Sequence, residues 1–273
     1  MGMSSKIEKI SVVTISFRDL DGLRKTVDSV RAQQCSVPIE HVVLDGGSGP
    51  EVEQYLESIG DGLHYWRSER DNGRYDAMNR GIAETTGDIV WLMHSGDCFS
   101  DPGALEYIVE NLADPRQQWG YAKVRRVGAD GIDLGEWGFM PFDLRNFTIG
   151  KAPIPHQGSF VGADFAKQLG PYDETFGLAA DQLYLMRAAL IKLPVTFDRV
   201  VCDFDTTGAG TVRPIKESFA DLRRAWDKLN HYPYGTRRRS RLQSWVIEYL
   251  VRTAFHGRER VRAMLGRAPA NGG

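Results

Sequence analysis

The chain has 273 residues, 42% hydrophobic and 26% charged, with a net charge of −2. These are ordinary globular values, and the length fits one large α/β domain with a C-terminal appendage, or at most two small domains. Cys35, Cys98 and Cys202 are odd in number and far apart, which excludes a zinc-type cluster and a disulfide framework and points to a reducing, cytosolic compartment. Met1 to Lys9 is polar, without the apolar region of a signal peptide, and no run approaches the ~20 apolar residues of a membrane span.

The near-zero net charge hides an asymmetry. Residues 213–273 carry 14 Lys/Arg against 5 Asp/Glu, whereas the rest carries 20 against 31. An acidic body suits metal or cationic groups, and a basic tail suits an anionic surface.

In chain order, Ile10 to Ser16 is a β-branched run of strand length, apolar enough to be buried on both faces. Asp19 or Asp21 can cap a following helix, in which Leu23, Val27 and Val30 recur at helical spacing. His41 to Leu44 is a second strand, ending in Asp45-Gly-Gly-Ser48. Val52, Leu56 and Ile59 mark the next helix, Leu63 to Arg67 a third strand, and Asp76 to Glu84 a short helix. Asp88 to Met93 is a fourth strand, closed by His94-Ser-Gly-Asp97. A helix with Leu105, Ile108, Val109 and Leu112 follows. Residues 119–163 read as strands and loops rich in aromatics. Strand-like runs at 158–161 and 195–201 flank a helix at 181–191, and Gly208 to Pro214 reads as a flexible loop before the tail. Strands alternating with helices imply a parallel sheet with right-handed crossovers, whose ligands collect at the carboxyl ends of the strands. Asp45, Asp71 and Asp97 all lie just beyond expected strand ends.

Each motif has a structural and a chemical reading. Asp45-Gly-Gly-Ser48 is either a turn with a capping acid or a carboxylate facing a nucleobase or ribose. Asp71-Asn-Gly-Arg-Tyr-Asp76-Ala-Met-Asn79-Arg80-Gly81 packs acids, arginines and asparagines into eleven residues. It is either a polar loop with a capped helix or a nucleotide and phosphate site. Asp97 is a turn residue, or it holds Mg2+ or Mn2+ together with diphosphate oxygens. His94 reads more readily as a packed residue than as a ligand. His156-Gln157, in a Pro-rich loop, is either structural or a contact to phosphate, metal or acceptor. Asp181, opening an apolar helix, is either a cap or a general base.

Taken in order, these segments resemble glycosyltransferase family 2, whose members have the GT-A fold: a Rossmann-like, mostly parallel central sheet flanked by helices. The likeness runs over residues 9–211. The opening strand Ser11 to Arg18, Asp45 to Ser48, Asp71 to Gly81 and Gly87-Asp88 resemble the nucleotide-binding segments, and Ser95-Gly-Asp97 resembles the metal motif. His156-Gln157 and Gly208 to Thr211 look like the branch near bacterial colanic-acid and glycolipid transferases. Two departures stand out: the metal motif offers only the Asp97 carboxylate, and Asp181 has no acidic neighbour, leaving Asp173 and Glu174 as weaker alternatives for the base.

The resemblance implies a catalytic domain over 1–212 and a basic helical extension over 213–273. It implies nucleotide-sugar contacts from Thr14, Ser16, Asp45, Gly46, Asp71, Gly73, Arg74, Asp76, Asn79, Arg80, Ser95, Gly96 and His156. Asp97 is the implied holder of Mn2+ or Mg2+, and Asp181 the implied base. The implied reaction is an inverting transfer from a UDP, GDP or dTDP sugar to a carbohydrate or glycolipid hydroxyl. The competing classes are a sugar-1-phosphate nucleotidyltransferase and a non-catalytic nucleotide-sugar binder. Ser16 to Gly22 lacks the glycine-dense phosphate loop expected of the first.

In the tail, Leu242, Trp245, Val246, Tyr249 and Leu250 share one helical face. That stripe suits docking on the catalytic domain or on a second subunit in a homodimer. It also suits peripheral contact with the inner face of the cytoplasmic membrane. Nucleic acid is not an expected partner, because no reader motif accompanies the basic residues.

Overall fold

The computed structural model describes residues 6–207 and 214–264. They form two compact units, one of residues 6–142 with 154–206 and one of 143–153 with 207 and 214–264.

In the first unit, β1 (Ile10–Ser16) is buried at every position, as its unbroken apolar run requires. Asp19 caps α1 (Leu20–Arg31) by accepting from the Gly22 N–H at 3.0 Å, and Leu23, Val27 and Val30 make the buried face. β2 (Ile39–Asp45) leads to α2 (Pro50–Ile59), which starts on a proline whose missing N–H costs nothing there. β3 (Tyr65–Ser68), α3 (Arg74–Ala83) and β4 (Ile89–Leu92) complete the alternation. Then come β5 (Cys98–Phe99), α4 (Ala104–Asn111), β6 (Trp119–Val127) and β7 (Asp133–Trp137). In the second unit, α5 (Leu144–Thr148) is capped by Asp143. Back in the first, β8 (Ser159–Gly162), α6 (Ala163–Leu169), α7 (Ala180–Ile191) and β9 (Val195–Asp205) follow.

The sheet order is β3-β2-β1-β4-β8-β6-β9-β5, with β7 paired to β6. β3, β2, β1 and β4 are mutually parallel, β8 runs antiparallel to both β4 and β6, and β9 is parallel to β6. β1 lies between β2 and β4, so successive crossovers leave it in opposite directions, which opens a crevice at its carboxyl end. Register sharpens this: Ser16 pairs with Asp45 and Asp45 with Ser68, so three strands end at one level and their loops start side by side.

Both faces of the parallel half are covered. Leu23, Val27, Val43, Val52 and Leu56 pack together beneath α1 and α2. On the other face α3 lies directly on the sheet: a Cβ at Gly81 would stand 2.5 Å from Val13 and 3.1 Å from Leu44. The larger core gathers Trp91, Phe99 and Phe160, with ring centroids 5.6 and 5.7 Å from Trp91. The alternation expected for residues 10–112 is observed, with ends shifted by a few residues. α6 and the short β5 were not foreseen.

At the amino edge of the sheet, Glu40 is 6% exposed and ties three segments together. It accepts from the Ser11 hydroxyl at 2.5 Å, the Thr86 hydroxyl at 2.6 Å and the Gly87 N–H at 3.2 Å, and pairs with Lys9 at 2.9 Å. Burial pushes its carboxyl up, but the hydrogen bonds from Ser11, Thr86 and Lys9 outweigh that and bring it from 4.5 to about 2. The folded value lies below the unfolded one. The stabilisation is therefore complete above pH 4.5 and fades as pH falls toward 2, on the order of 3 kcal/mol in all. In denaturant titrations Glu40→Gln should show a constant deficit against wild type from pH 7 down to about pH 5, and one that narrows from there to pH 2. A deficit that stays constant down to pH 2 would show that packing, not charge, fixes this edge.

In the second unit, α8 (Ile215–Leu229) and α9 (Arg237–Met264) form a helical hairpin. The Trp226 indole donates to the Thr148 carbonyl at 2.7 Å, which joins α5 to α8. Residues 143–153 therefore accompany the C-terminal helices. The Gly208 to Thr211 motif, and all of the expected loop except Pro214, lie outside the described residues.

Candidate active site

The carboxyl ends of β1, β2 and β3 build the first part of the site. Asp45 closes β2 and is 2% exposed. Its carboxylate accepts from the Gly47 and Ser48 N–H groups at 3.1 and 2.8 Å, from the Ser48 hydroxyl, and from the Ser68 hydroxyl at 2.7 Å. Asp45 thus fixes the loop after its own strand to the end of β3. Gly46 is hemmed in by neighbouring loops: a Cβ there would stand 2.9 Å from an Asp71 oxygen and 3.1 Å from the Phe17 ring. Phe17, Gly46 and Asp71, from three loops, therefore meet in one small volume. Asp71 turns its own loop by accepting from the Gly73 N–H at 2.9 Å. Ser16, at the end of β1, has a buried hydroxyl with no hydrogen-bond partner. Thr14 is two residues deeper, fully buried, and its hydroxyl meets His41 Nε2 at 2.9 Å. The structure does not bring Thr14 to the site.

α3 begins at Arg74, after Gly73 at φ +116°, a conformation open to glycine. Asp76 reaches back to the Asn72 N–H at 2.8 Å and pairs with Arg80 at 2.9 Å; Arg80 also meets Glu69 at 3.0 Å. Asn79 donates to the Tyr172 carbonyl at 3.0 Å and to Glu174 at 3.1 Å, and accepts from the Tyr172 N–H at 2.8 Å. Asp76, Arg80 and Asn79 are therefore engaged in holding the loops around α3. Arg74 differs, forming no hydrogen bond or ion pair among the described residues.

The Arg74 charge acts on two histidines. His94, in the loop after β4, is held neutral near 3 by burial, then by the charges of His156 and Arg74. Its Nε2 is buried with no hydrogen-bond partner. The His156 ring lies 5.6 Å from that of His94, and its Nε2 meets the Tyr172 hydroxyl at 3.0 Å. Burial lowers His156 and Arg74 lowers it further, while Asp181 pulls it up. Asp181 also raises Tyr75, after burial, and the Tyr75 hydroxyl donates to the Leu178 carbonyl at 3.0 Å. Asp181 is the second residue of α7. It is not the helix cap, and its carboxylate accepts from the Gln182 N–H at 2.7 Å. Arg74, Tyr75, His94, His156 and Asp181 thus form a second cluster, with one unpartnered cation, one carboxylate and two neutral imidazoles.

The loop after β4 makes the third part. Ser95 donates to Asp19 at 2.6 Å, and the Gly96 N–H donates to the Thr26 hydroxyl at 3.1 Å, so the top of α1 fixes the motif. Asp97 is 3% exposed, and burial pushes its carboxyl well up. Asp205 stands beside it. The antiparallel pairing of β5 with β9 sets Cys98 against Asp203, so that Asp205 falls opposite Gly96. The Asp205 N–H donates to Asp97 at 2.9 Å, its carboxylate would lie 3.2 Å from a Gly96 Cβ, and Lys25 donates to the Gly96 carbonyl at 3.2 Å. Among the described residues no three His, Cys, Asp or Glu side chains gather as a metal cluster. Asp97, buried, and Asp205, half-buried, are a pair of hard oxygen donors whose charge a divalent cation would offset, so the residues fit such an ion.

Asp205, Lys25 and Asp19 were not foreseen as parts of this loop. Only the strand register brings Asp205 there, and a single chain does not print register. His94 had the weaker chemical reading in sequence, yet its ring lies 5.6 Å from that of His156 and its Nε2 is buried without a hydrogen-bond partner.

The model of the family described as glycosyl transferase family 2 matches residues 11–158. An uncharacterized glycosyltransferase of Mycobacterium tuberculosis is 49% identical over 232 residues, 84% of this chain and 87% of the relative. A glycosyltransferase of Mycobacterium bovis named for PGL/p-HBAD biosynthesis is 29% identical over 164 residues, 57% of this chain and 59% of the relative. Among solved structures, S. aureus TarS in complex with UDP-GlcNAc has a TM-score of 0.60 at 16% identity, covering 80% of this chain and 65% of that one. A mannosyltransferase from Pyrobaculum calidifontis in complex with GDP-Man and Mn2+ has a TM-score of 0.59 at 16% identity, covering 92% and 76%. With a family model spanning more than half its residues and a relative at 49% identity, the chain belongs to glycosyltransferase family 2 and carries the GT-A fold.

Proposed function

We propose that the protein transfers a sugar from a nucleoside diphosphate to an acceptor hydroxyl in one displacement that inverts the anomeric centre. The observation that carries this is the second cluster, where the unpartnered Arg74 guanidinium and the Asp181 carboxylate act with opposite sign on the same buried imidazole, whose ring lies 5.6 Å from that of His94. A free guanidinium suits diphosphate oxygens, through charge-assisted bonds. A carboxylate in the same cluster suits the acceptor's proton.

In this reading the nucleoside sits at Phe17, Gly46 and Asp71, with Asp45 holding the pocket's shape. Asp181 takes the proton as the acceptor oxygen bonds to the anomeric carbon. The bond from that carbon to the diphosphate oxygen breaks as the new one forms, and its electron pair leaves with the nucleoside diphosphate. Arg74 steadies the charge that grows there, and the neutral imidazoles of His94 and His156 offer hydrogen bonds to sugar or acceptor hydroxyls. Asp97, with Asp205, would hold Mn2+ or Mg2+, which when bound serves as a Lewis acid on the leaving diphosphate. The donor is a UDP, GDP or dTDP sugar. The acceptor is a carbohydrate or a glycolipid, a class supported by the relative named for PGL/p-HBAD biosynthesis.

Calorimetric titration with a panel of these nucleotide sugars, with and without Mn2+, tests the donor site. One donor should bind, Mn2+ should tighten it, and Asp97→Asn should remove the Mn2+ gain, about tenfold, equivalent to 1.4 kcal/mol. If no donor binds under any metal condition, the nucleotide-sugar site is misassigned.

A further inference from the structure

α9 is packed with its polar side inward. Ser240, Ser244 and Glu248 are buried, one turn apart along the helix, and Ser244 and Glu248 meet Arg223 of α8 at 3.0 and 2.8 Å. The opposite side carries the apolar stripe into solvent. Leu242 is 63% exposed, Trp245 56%, Val246 47%, Tyr249 68% and Leu250 58%. A soluble helix normally buries this stripe and exposes its charges. The Arg223 guanidinium packs on the Trp245 ring, 4.4 Å from its centre, and the stripe is otherwise open among the described residues.

The residues flanking the stripe indicate what covers it. At 100° per residue, Arg238 and Arg239 border its amino end, and Arg241 and Arg252 line one flank. All four are exposed. Arg238 and Arg239 form no ion pair among the described residues, Arg241 shares Asp227 with Arg237, and Arg252 stands 3.7 Å from Glu248. The helix has no acid in its first turn, and its single acid up to Ala254, Glu248, is buried. A second copy docked on this face would bring these guanidinium groups together and repel. An anionic lipid surface would take the apolar stripe into its acyl boundary and the arginines onto its headgroups, with Trp245 and Tyr249 suited to the interface.

We propose that α9 is a peripheral membrane anchor that lies in the plane of an anionic bilayer surface through Leu242, Trp245, Val246, Tyr249 and Leu250. It does not cross the bilayer: among the described residues no helix is long and apolar enough to do so. The assignment rests on the helix alone, and stands or falls independently of the donor chemistry.

Flotation of the full chain with phosphatidylcholine vesicles, alone or with 30 mol% phosphatidylglycerol, tests it. The protein should float with the anionic vesicles at least tenfold more than with neutral ones, and 0.5 M NaCl should weaken this. Leu242→Ser/Leu250→Ser should cut binding at least tenfold, and Arg238→Glu/Arg239→Glu should erase the anionic preference. Both variants should keep wild-type helicity by circular dichroism and wild-type donor affinity. Absence of flotation with either vesicle overturns the anchor. So does a concentration-dependent dimer in sedimentation that Leu242→Ser/Leu250→Ser dissolves, because the stripe would then be a self-interface.

Discussion

Asp181→Asn lowers sugar transfer by about 10²–10⁴-fold and leaves donor affinity within about twofold, if the carboxylate is the base. The substitution keeps shape and local bonding, since an amide oxygen still accepts from the Gln182 N–H that Asp181 now holds at 2.7 Å. It removes the capacity to take a proton. The alternatives named in sequence are engaged elsewhere. Asp173 accepts from the Thr175 N–H at 3.0 Å and its hydroxyl at 2.6 Å, and Glu174 accepts from Asn79 at 3.1 Å. Asp181, in contrast, acts on the buried His156 and raises it. Steady-state transfer and calorimetric donor binding, measured on the same preparation, separate the roles. Turnover within fivefold of wild type would place the base elsewhere. Loss of donor affinity in step with turnover would make Asp181 a wall of the donor pocket instead.

The parallel half of the sheet was legible because its strands are buried on both faces, and such strands write themselves as unbroken apolar runs like Ile10 to Ser16. The site loops were legible for a related reason: a polar residue that abruptly ends such a run, as Asp45 does, must lie at the sheet edge. What each polar residue does there was less legible. Asn79 and Arg80 look from composition like nucleotide ligands, but their partners are Tyr172, Glu174, Asp76 and Glu69, all fixed by tertiary packing. Asp205 is 108 residues from Asp97 and reaches it only through a two-residue strand. α9 shows the same limit. Its periodicity correctly marks a helix with an apolar side, but periodicity cannot say which side faces the protein. Ser240, Ser244 and Glu248 take that place because Arg223 on α8 needs a buried acid, and no pattern within α9 carries that information.

That buried pair should dominate the stability of the helical hairpin. Arg223 is 7% exposed and Glu248 3%. The guanidinium donates to Glu248 at 2.8 Å and to the Ser244 hydroxyl at 3.0 Å, and lies 4.4 Å from the centre of the Trp245 ring. Arg223→Met keeps much of the volume and leaves Glu248 with only the exposed Arg252 at 3.7 Å. An uncompensated buried carboxylate costs roughly 3–5 kcal/mol, whereas replacing both partners by apolar groups is often close to neutral. Hydrogen exchange of the α8 and α9 amides reads this locally, without requiring both units to unfold together. Arg223→Met should lose protection by that amount, and Arg223→Met/Glu248→Leu should recover most of it. If the double variant is as unprotected as the single one, contacts of the guanidinium with Trp245 and Ser244 hold the hairpin, and the ion pair is incidental. If it recovers, the pair's contribution is specificity: an apolar seam could slide or turn α9 over to bury Leu242 and Leu250, whereas a single buried charge pair fixes one register and keeps that stripe outward.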